Sequence, residues 1–443
     1  VFPAGNRSPN MGSVDGMFPY MQLIVAFELA LTAFEMYLEV RQRRRYSETT
    51  MSPELVGLVP EEKFLKAQAY GKDKSTLSLV QHAWGTLTTV VMYTTFFGPK
   101  MWDAALVIMK RIQPAWTEEN EIVRTLVVLA LYYLLDQVLS QPLSIYSTFV
   151  VEQKHGFNKT TMATYVKDLC IGTAVGAVVC LGLVPALWHV VNFGGSRLWL
   201  YFFLLMASFS IFMTVLYPSV IAPLFNKFTP LEEGPLKNSV VDMASSLKFP
   251  LRKIYVIDGS RRSSHSNAYF YGLFTKGIVL FDSLLSQCEG KDDQVIAVLC
   301  HELGHWKHGH TRLGLLIGML QLFCASYLYG ATSGNKELFK SFGYTDQPHI
   351  IGLALFFTIF HPVDSLLDLA GNWVSRRFEY QADRFAKNLG HGESLGRALV
   401  NMQIENLSTM TPDPWYSAYH YTHPTLLERL KPIGYTAQSK KEN

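Results

Sequence analysis

Seven apolar windows, each long enough to cross a bilayer as a helix, constrain the fold of this chain more than any other feature. A transmembrane helix needs about 20 apolar residues. Hydrophobic residues make up 49% of the 443 positions, and they are clustered. The buried helices of a large soluble protein would not give so many runs of this length. The windows span residues 20–40, 77–97, 125–146, 170–191, 198–224, 313–332 and 350–370.

Basic residues next to the first window predict the topology. Arg41, Arg43, Arg44 and Arg45 follow it directly, and lysines continue through the same loop. The positive-inside rule places this loop in the cytosol and the N-terminus on the other side. With seven spans, segments 147–169, 225–312 and 371–443 then also lie in the cytosol. The net charge of +3 is too small to indicate nucleic-acid binding.

Several ionisable side chains fall inside the predicted spans. A charge in hydrocarbon is costly, so each should face other helices or water. So many together predict a water-filled interior among the helices. They are Glu28, Glu35, Asp136, Asp364 and Asp368.

The segment His301-Glu302-Leu303-Gly304-His305 carries the clearest chemical signal. Its histidines are four residues apart, so on a helix they lie about 40° apart and can share one metal ion. A zinc ion with three protein ligands and an open position activates water near neutral pH. Glu302 would take the proton of that water and pass it to the leaving amine. A chance match is the alternative, but an apolar run over 295–300 leads into the motif without a helix breaker. The motif therefore predicts a zinc peptidase.

The residues before the motif predict a small α+β domain. Residues 253–257 and 277–281 are rich in β-branched side chains and predict two strands, with a polar stretch over 260–267 between them. We expect four regions. They are an N-terminal membrane region with five spans (1–224), a cytosolic metalloprotease segment (225–312), the sixth and seventh spans (313–370), and a C-terminal cytosolic segment with the third zinc ligand (371–443).

Glu379 is the best candidate for the third ligand. It follows the motif after one hairpin of two spans, on the same predicted side of the membrane. Asp383 lies at i+4 on the same helix face and could orient a ligand histidine through its free ring N–H. A solvated charged helix face is the alternative reading. His308 and His310 are expected to be polar residues at the membrane boundary and not ligands.

Several segments together resemble the type 1 CAAX prenyl proteases, zinc metalloproteases of the eukaryotic endoplasmic reticulum and inner nuclear membrane. The resemblance covers nearly the whole chain. It is carried by residues 301–307, 376–383, 264–272, 152–158, 221–225 and 423–429.

The resemblance implies seven transmembrane helices around a water-filled chamber, with one Zn²⁺ per chain at the cytosolic end. His301, His305 and Glu379 match the zinc ligands. It also implies that the enzyme removes the last three residues of prenylated CAAX proteins or peptides. Membrane lipid surrounds such an enzyme, and nucleic acid is not a partner.

The resemblance further implies roles for four residues near the zinc. Asn267 and the backbone of Ala268 match the edge that holds an extended substrate. His423 and Arg429 match residues that could bind the substrate carbonyl or the developing oxyanion.

Two alternatives stay open on the sequence alone. One is a membrane quality-control zinc protease, which would also cleave unprenylated proteins. The other is a chamber or partner-binding protein with a structural zinc site, although such a site has no need of a base like Glu302 and is usually closed by four ligands. Lys440 and Lys441, near the C-terminus, resemble a retrieval signal of the endoplasmic reticulum.

Overall fold

The computed structural model describes residues 18–272 and 276–437, and Lys440 and Lys441 lie outside this part of the chain. The described residues are mostly helical. Their helices are α1 (Tyr20–Arg45), α2 (Glu61–Thr94), α3 (Phe97–Ile112), α4 (Glu121–Tyr146), α5 (Met162–Phe193), α6 (Leu198–Leu216), α7 (Ala222–Phe225), α8 (Pro235–Ser246), α9 (Asp282–Gln287), α10 (Asp292–Lys307), α11 (His310–Thr332), α12 (Lys336–Ser341), α13 (His349–Ala386), α14 (Gly392–Glu405), α15 (Pro414–His420) and α16 (Leu426–Ile433). The strands are β1 (Phe228–Pro230), β2 (Leu251–Ile257), β3 (Ala268–Tyr271) and β4 (Lys276–Phe281).

Five helical stretches of the described chain are both long and apolar enough to cross a bilayer. They are Glu121–Glu152, Met162–Phe193, Gly195–Phe225, His310–Thr332 and His349–Glu405. The first two predicted spans lie in helices α1 and α2, which do not reach the same apolarity. The reason is composition, since α1 carries Glu28, Glu35 and Glu39 and α2 carries Gln81 and His82. The polytopic helical architecture is confirmed, and the count of seven spans stays a prediction.

The predicted cytosolic segments gather at one end of the helices. The end of α1 and the N-terminal half of α2 pair with the C-terminal segment, and α2 also pairs with the segment that follows α4. The start of α5 pairs with the segment before β3. These contacts bring all four segments to the end that carries the His-Glu-Leu-Gly-His motif. The ion pairs that make the connections are Arg41–Asp413 at 3.0 Å, Lys63–Glu405 at 3.1 Å, Lys154–Asp73 at 2.7 Å and Arg262–Asp168 at 2.7 Å.

Ionisable side chains inside the predicted spans are partly paired between helices. His361 Nδ1 lies 2.6 Å from Glu28 Oε1, and His82 Nδ1 lies 3.5 Å from Glu35 Oε2. Asp136, Asp364 and Asp368 are accessible to solvent and do not lie in a packed core. Exposed carboxylates at this depth need water around them. They support an aqueous interior, which remains an expectation.

A four-stranded sheet in the order β1-β2-β4-β3 precedes the motif helix. Strands β2 and β4 are the two predicted ones and pair in parallel, whereas β1 and β3 pair antiparallel at the edges. The sequence reading missed β1 and β3, which are only three and four residues long. One face of the sheet packs on α8 and α10. The core between them contains Val240, Ile254, Ile278, Leu280, Val298 and Leu299.

The C-terminal helices close over the motif helix from the other side. Ala297 and Cys300 of α10, Leu395 of α14 and Leu430 of α16 belong to one buried cluster, together with Phe64 of α2. Burial of apolar surface in a shared core holds these elements together. The predicted segments 225–312 and 371–443 therefore share a core, although two membrane helices separate them in sequence.

Candidate metal centre

Helix α10 carries its two histidines one turn apart on one face, and the packing of its apolar side chains sets the direction of that face. Asp292 and Asp293 occupy its first turn, where carboxylates favour the positive end of the helix dipole. Val295, Leu299 and Leu303 are each 1% exposed and pack into the core. Burial fixes the rotation of the helix, so the positions of the histidines are set before any ion binds.

Helix α13 approaches α10 very closely beside the motif. A Cβ added at Gly304 would lie 3.0 Å from Ala382 Cα and 3.2 Å from Phe385 Cβ. Ala382 itself is fully buried. A glycine facing an alanine lets the two backbones meet at this point. This contact brings Glu379 and Asp383, one turn apart on α13, over the two histidines.

The side chains of His301, His305 and Glu379 form a compact triangle of possible ligand atoms. His301 Nε2 lies 3.2 Å from His305 Nε2. Glu379 Oε1 lies 3.2 Å from His305 Nε2, and Glu379 Oε2 lies 3.4 Å from His301 Nε2. Among the described residues this is the group of histidine and carboxylate atoms arranged to hold a metal ion. The structure thus brings together the three ligands predicted from sequence.

An orphaned oxygen atom shows that the triangle fits a cation. Glu379 Oε2 is buried and accepts no hydrogen bond within the described part of the chain. Leaving a buried carboxylate oxygen unsatisfied is unfavourable. A metal ion at the centre of the triangle would satisfy this atom together with both Nε2 lone pairs.

Asp383 and Arg429 fix His301 on the side of its ring that faces away from the triangle. His301 Nδ1 lies 2.8 Å from Asp383 Oδ1, so its N–H donates to the carboxylate, and in the neutral ring Nε2 carries the lone pair that a metal ion needs. Arg429 donates to the same carboxylate twice, from Nε at 2.9 Å and from Nη2 at 2.7 Å. Burial alone lowers the pKa of His301, but the neighbouring carboxylates of Asp383 and Glu379 outweigh it and raise that pKa to about 9, so a metal ion at Nε2 would displace a proton.

His305 is held in a similar way by a residue that the sequence reading did not assign to the site. Its Nδ1 lies 2.9 Å from Nδ1 of His310, and His310 Nε2 lies 2.7 Å from Gln381 Oε1. An amide oxygen only accepts, so His310 Nε2 donates to Gln381 and its Nδ1 accepts from His305. This chain leaves the lone pair of His305 on Nε2, which faces Glu379.

The position of His310 comes from a reversal of the chain between α10 and α11. Gly309 has a φ of 72°, in the left-handed region, and stands between the two helices. His310 then stacks on Phe378 of α13, with ring centroids 4.1 Å apart and planes 7° apart. His310 follows His305 by five residues, and this separation does not return to the same face of a helix. The spacing therefore did not indicate a contact between the two histidines. The glycine before His310 was the available hint. The neighbouring His308 is exposed, whereas His310, which was expected to be a polar residue at the membrane boundary, is buried beside the site.

Glu302 lies beside the triangle, and its carboxylate is not engaged in a hydrogen bond with the described residues. Its side chain is half-buried. Burial raises the pKa of Glu302, against the charges of His301 and His305, which lower it. A carboxylate that is near the ligands and free of partners can act as a proton acceptor.

His423 and Arg429 each approach a different carboxylate oxygen of Glu379. His423 Nε2 is 3.3 Å from Glu379 Oε1, and its side chain is 63% exposed, so it remains accessible to a second molecule. The side chain of Arg429 is 12% exposed, and its Nε and Nη2 donate hydrogen bonds to Asp383. Its Nη1 lies 3.5 Å from Glu379 Oε2. The geometry of Arg429 favours positioning of Asp383, and its predicted contact with substrate stays a prediction.

Asn267 and Ala268 lie at the start of edge strand β3. Strand β3 pairs with β4 on one side only, at the margin of the sheet nearest α10. Asn267 Oδ1 accepts from the N–H of Ala268 at 2.8 Å, which leaves the exposed amide nitrogen of Asn267 free to donate. An edge strand with open backbone groups can accept an extended peptide as an additional strand.

Comparison with known proteins assigns the two halves of the chain to two family models. Residues 42–227 match the model described as CAAX prenyl protease N-terminal, five membrane helices. Residues 230–437 match peptidase family M48.

Relatives resemble the chain over nearly its full length. The CAAX prenyl protease 1 homolog of Oryza sativa subsp. japonica is 44% identical over 96% of this chain and 99% of its own. CAAX prenyl protease 1 of Saccharomyces cerevisiae is 37% identical over 96% of this chain and 97% of its own. The crystal structure of S. mikatae Ste24p superposes with a TM-score of 0.89 at 36% identity, and covers 94% of this chain and 100% of that one.

Proposed function

This chain belongs to the CAAX prenyl proteases of peptidase family M48, and from that premise we propose that it removes the C-terminal tripeptide from prenylated CAAX proteins at a zinc site in an integral membrane protein. The observation that carries the proposal is the triangle of His301, His305 and Glu379 with the uncommitted carboxylate of Glu302 beside it. A site with three ligands and a free base suits hydrolysis. A purely structural zinc site is usually closed by a fourth ligand.

Zinc is the ion that we assign to this triangle. Ligand atoms about 2.0 Å from a tetrahedral ion lie about 3.3 Å from one another. The distances between the Nε2 atoms and the carboxylate of Glu379 are 3.2–3.4 Å. Two imidazoles with one carboxylate form a ligand set of catalytic zinc sites. When bound, the ion lowers the pKa of water and polarises the carbonyl that is attacked.

Glu302 is the general base and then the general acid in this proposal. Its carboxylate takes a proton from the attacking water and delivers it to the nitrogen of the departing tripeptide. Exposed His423 can donate to the carbonyl oxygen of the substrate as negative charge develops there. The edge at Asn267 and Ala268 holds the substrate as an added strand, which requires little sequence specificity because the contacts are with main-chain atoms.

We place the enzyme in the membrane of the endoplasmic reticulum, with the inner nuclear membrane as a second location, and with its active site facing the cytosol. The arginines at the end of α1 support this orientation under the positive-inside rule. The ion pairs that join the end of α1 and the start of α2 to the C-terminal segment support a metal centre on that same side. Prenylated proteins present their C-terminus there.

Cleavage of a farnesylated CAAX peptide and its unprenylated twin by the purified enzyme tests the proposal, with Glu302→Gln as the control. We expect release of the tripeptide from the farnesylated peptide alone, and loss of that release in the variant. Equal cleavage of both peptides would support a membrane quality-control protease instead. No cleavage of either by the zinc-loaded protein would contradict a peptidase role.

A further inference from the structure

A cavity that shares no lining residue with the metal triangle opens at the boundary where candidate membrane helices end. It has a volume of about 440 Å³. One wall is the C-terminal end of the span Gly195–Phe225, at Pro218, Ser219 and Pro223. The other wall is the sheet, at residues of β2, β3 and β4. The span that begins at His310 runs antiparallel to α6, because Trp199 at the start of α6 contacts Tyr327 and Gly330 near the end of α11. The end of one span and the start of the other therefore lie at the same boundary.

The cavity is strongly basic. Three of its lining residues are the cations Arg252, Lys253 and Lys276, and its lining contains no acidic residue. A fourth cation, Arg312 in the first turn of α11, is close enough to act on Lys276 electrostatically. Several cations without a balancing carboxylate attract a multivalent anion.

Lys276 is the least expected of these residues because it is only 8% exposed. Its ammonium donates to the carbonyl oxygen of Gly272 and lies 5.6 Å from the ring centroid of Phe270, and within the described residues it forms no ion pair. Burial, with the positive charge of Arg312, lowers the pKa of Lys276. A buried cation is normally paired. Neither contact supplies a negative charge, which favours an anion from outside the chain at this position.

The surroundings identify the source of the anion as a membrane lipid. Tyr255 and Tyr271 line the cavity, and tyrosine is enriched at the level of lipid headgroups. Just outside it, Tyr217, Val220 and Leu224 are 57%, 51% and 46% exposed on the end of the span, where acyl chains would cover them. The basic cavity is therefore continuous with an apolar surface, and this arrangement matches the charged headgroup and apolar acyl chains of a phospholipid.

We propose that this cavity binds the phosphate headgroup of an anionic phospholipid, with Arg252, Lys253 and Lys276 as its cationic contacts and the acyl chains lying against the end of α6 and the turn that follows it. Basic cavities between membrane helices on the cytosolic side bind anionic headgroups. In the orientation proposed above, this boundary faces the leaflet that carries anionic lipids. The inference does not depend on the peptidase reaction.

Native mass spectrometry of the zinc-loaded protein in detergent, titrated with phosphatidic acid or with phosphatidylcholine, tests this inference. We expect adducts of phosphatidic acid that persist at concentrations where phosphatidylcholine adducts are absent, and we expect added salt to weaken them. The same titration with inorganic phosphate or glycerol 3-phosphate tests anions that have no acyl chains. Equal retention of these soluble anions would contradict a lipid source, and equal binding of both phospholipids would contradict a headgroup site.

Variants locate the binding. Replacing both exposed cations, in Arg252→Gln with Lys253→Gln, should weaken phosphatidic acid binding about fivefold for each charge, or about 25-fold together. Lys276→Gln tests the buried cation, and unfolding temperatures show whether it still folds. The matched control removes the same charge at two exposed lysines outside the cavity, in Lys159→Gln with Lys291→Gln. An equal loss in the control pair would mean that the lipid responds to net charge alone and would overturn the proposal.

Discussion

Asp383 Oδ1 lies 2.8 Å from His301 Nδ1, on the side of the imidazole ring opposite to the metal triangle. Asp383 is itself fixed by two hydrogen bonds from Arg429. A carboxylate in this position fixes the histidine tautomer and the ring orientation, and it increases the basicity of the ligand nitrogen. The link from Arg429 through Asp383 to His301 joins helix α16 to the metal centre.

Loss of the Asp383 carboxylate charge should weaken metal binding. We expect Asp383→Asn to raise the zinc dissociation constant by about 10- to 100-fold. Competition with a chromophoric chelator measures that constant. Asp293→Asn, on an exposed carboxylate of α10 that contacts Ser394 and Arg397, is the matched control and should leave it unchanged. A dissociation constant in Asp383→Asn equal to that of the parent protein would contradict the orienting role.

Arg429→Lys separates two roles for this side chain. A lysine keeps the charge but cannot make the paired contacts from Nε and Nη2 to Asp383. If Arg429 positions Asp383, zinc affinity falls about tenfold, as for loss of an outer hydrogen bond to a ligand. Unchanged zinc affinity combined with a lower kcat would instead support the contact with substrate expected from the sequence. Chelator competition and peptide kinetics on the same preparation give both quantities.

Loss of the His310 side chain should also weaken zinc binding, because His305 Nδ1 would lose its acceptor. We expect His310→Ala to raise the dissociation constant about tenfold, and His310→Gln to recover part of the loss because its amide oxygen can accept. His308→Ala is the control, since His308 is exposed and makes no hydrogen bond to His305 within the described residues. An effect of His308→Ala as large as that of His310→Ala would contradict the specific contact.

Glu302→Gln should remove turnover while leaving the metal in place. The amide cannot accept a proton from water, so kcat should fall by about 100- to 10,000-fold. Bound zinc, measured by elemental analysis of the purified variant, should remain at one ion per chain, because Glu302 does not belong to the ligand triangle. A variant that keeps the parent kcat would exclude Glu302 as the base.

A methyl group at Gly304 should separate α10 from α13. The added Cβ would meet the backbone of Ala382 at 3.0 Å, and backbone moves less readily than a side chain. We expect Gly304→Ala to destabilise the fold by about 1–3 kcal/mol and to weaken zinc binding as Glu379 moves away. Gly314→Ala in α11 is the control, because no atom lies within 4 Å of its added Cβ. Thermal unfolding in detergent should show a lower unfolding temperature for Gly304→Ala alone.

The sequence determined the local features of this protein. Apolar windows gave the membrane helices, although the polar side chains of α1 and α2 leave the count of seven untested. The spacing of His301, Glu302 and His305 predicted one helix face with two candidate ligands, because a helical period is a property of the local backbone. The parallel strands β2 and β4 were also predicted, since both are long enough to show a β-branched pattern.

Only the tertiary structure decided how distant segments meet. Short edge strands β1 and β3 form because a neighbouring strand supplies their hydrogen bonds, and three or four residues carry no pattern of their own. His310 reaches His305 through a left-handed glycine, and Arg429 reaches Asp383 across the interface between α13 and α16. Contacts of this kind depend on the packing of whole helices, which residue spacing does not encode. The sequence thus determined which groups could carry the chemistry, and the packing of α10 against α13 and α16 decided how they are held.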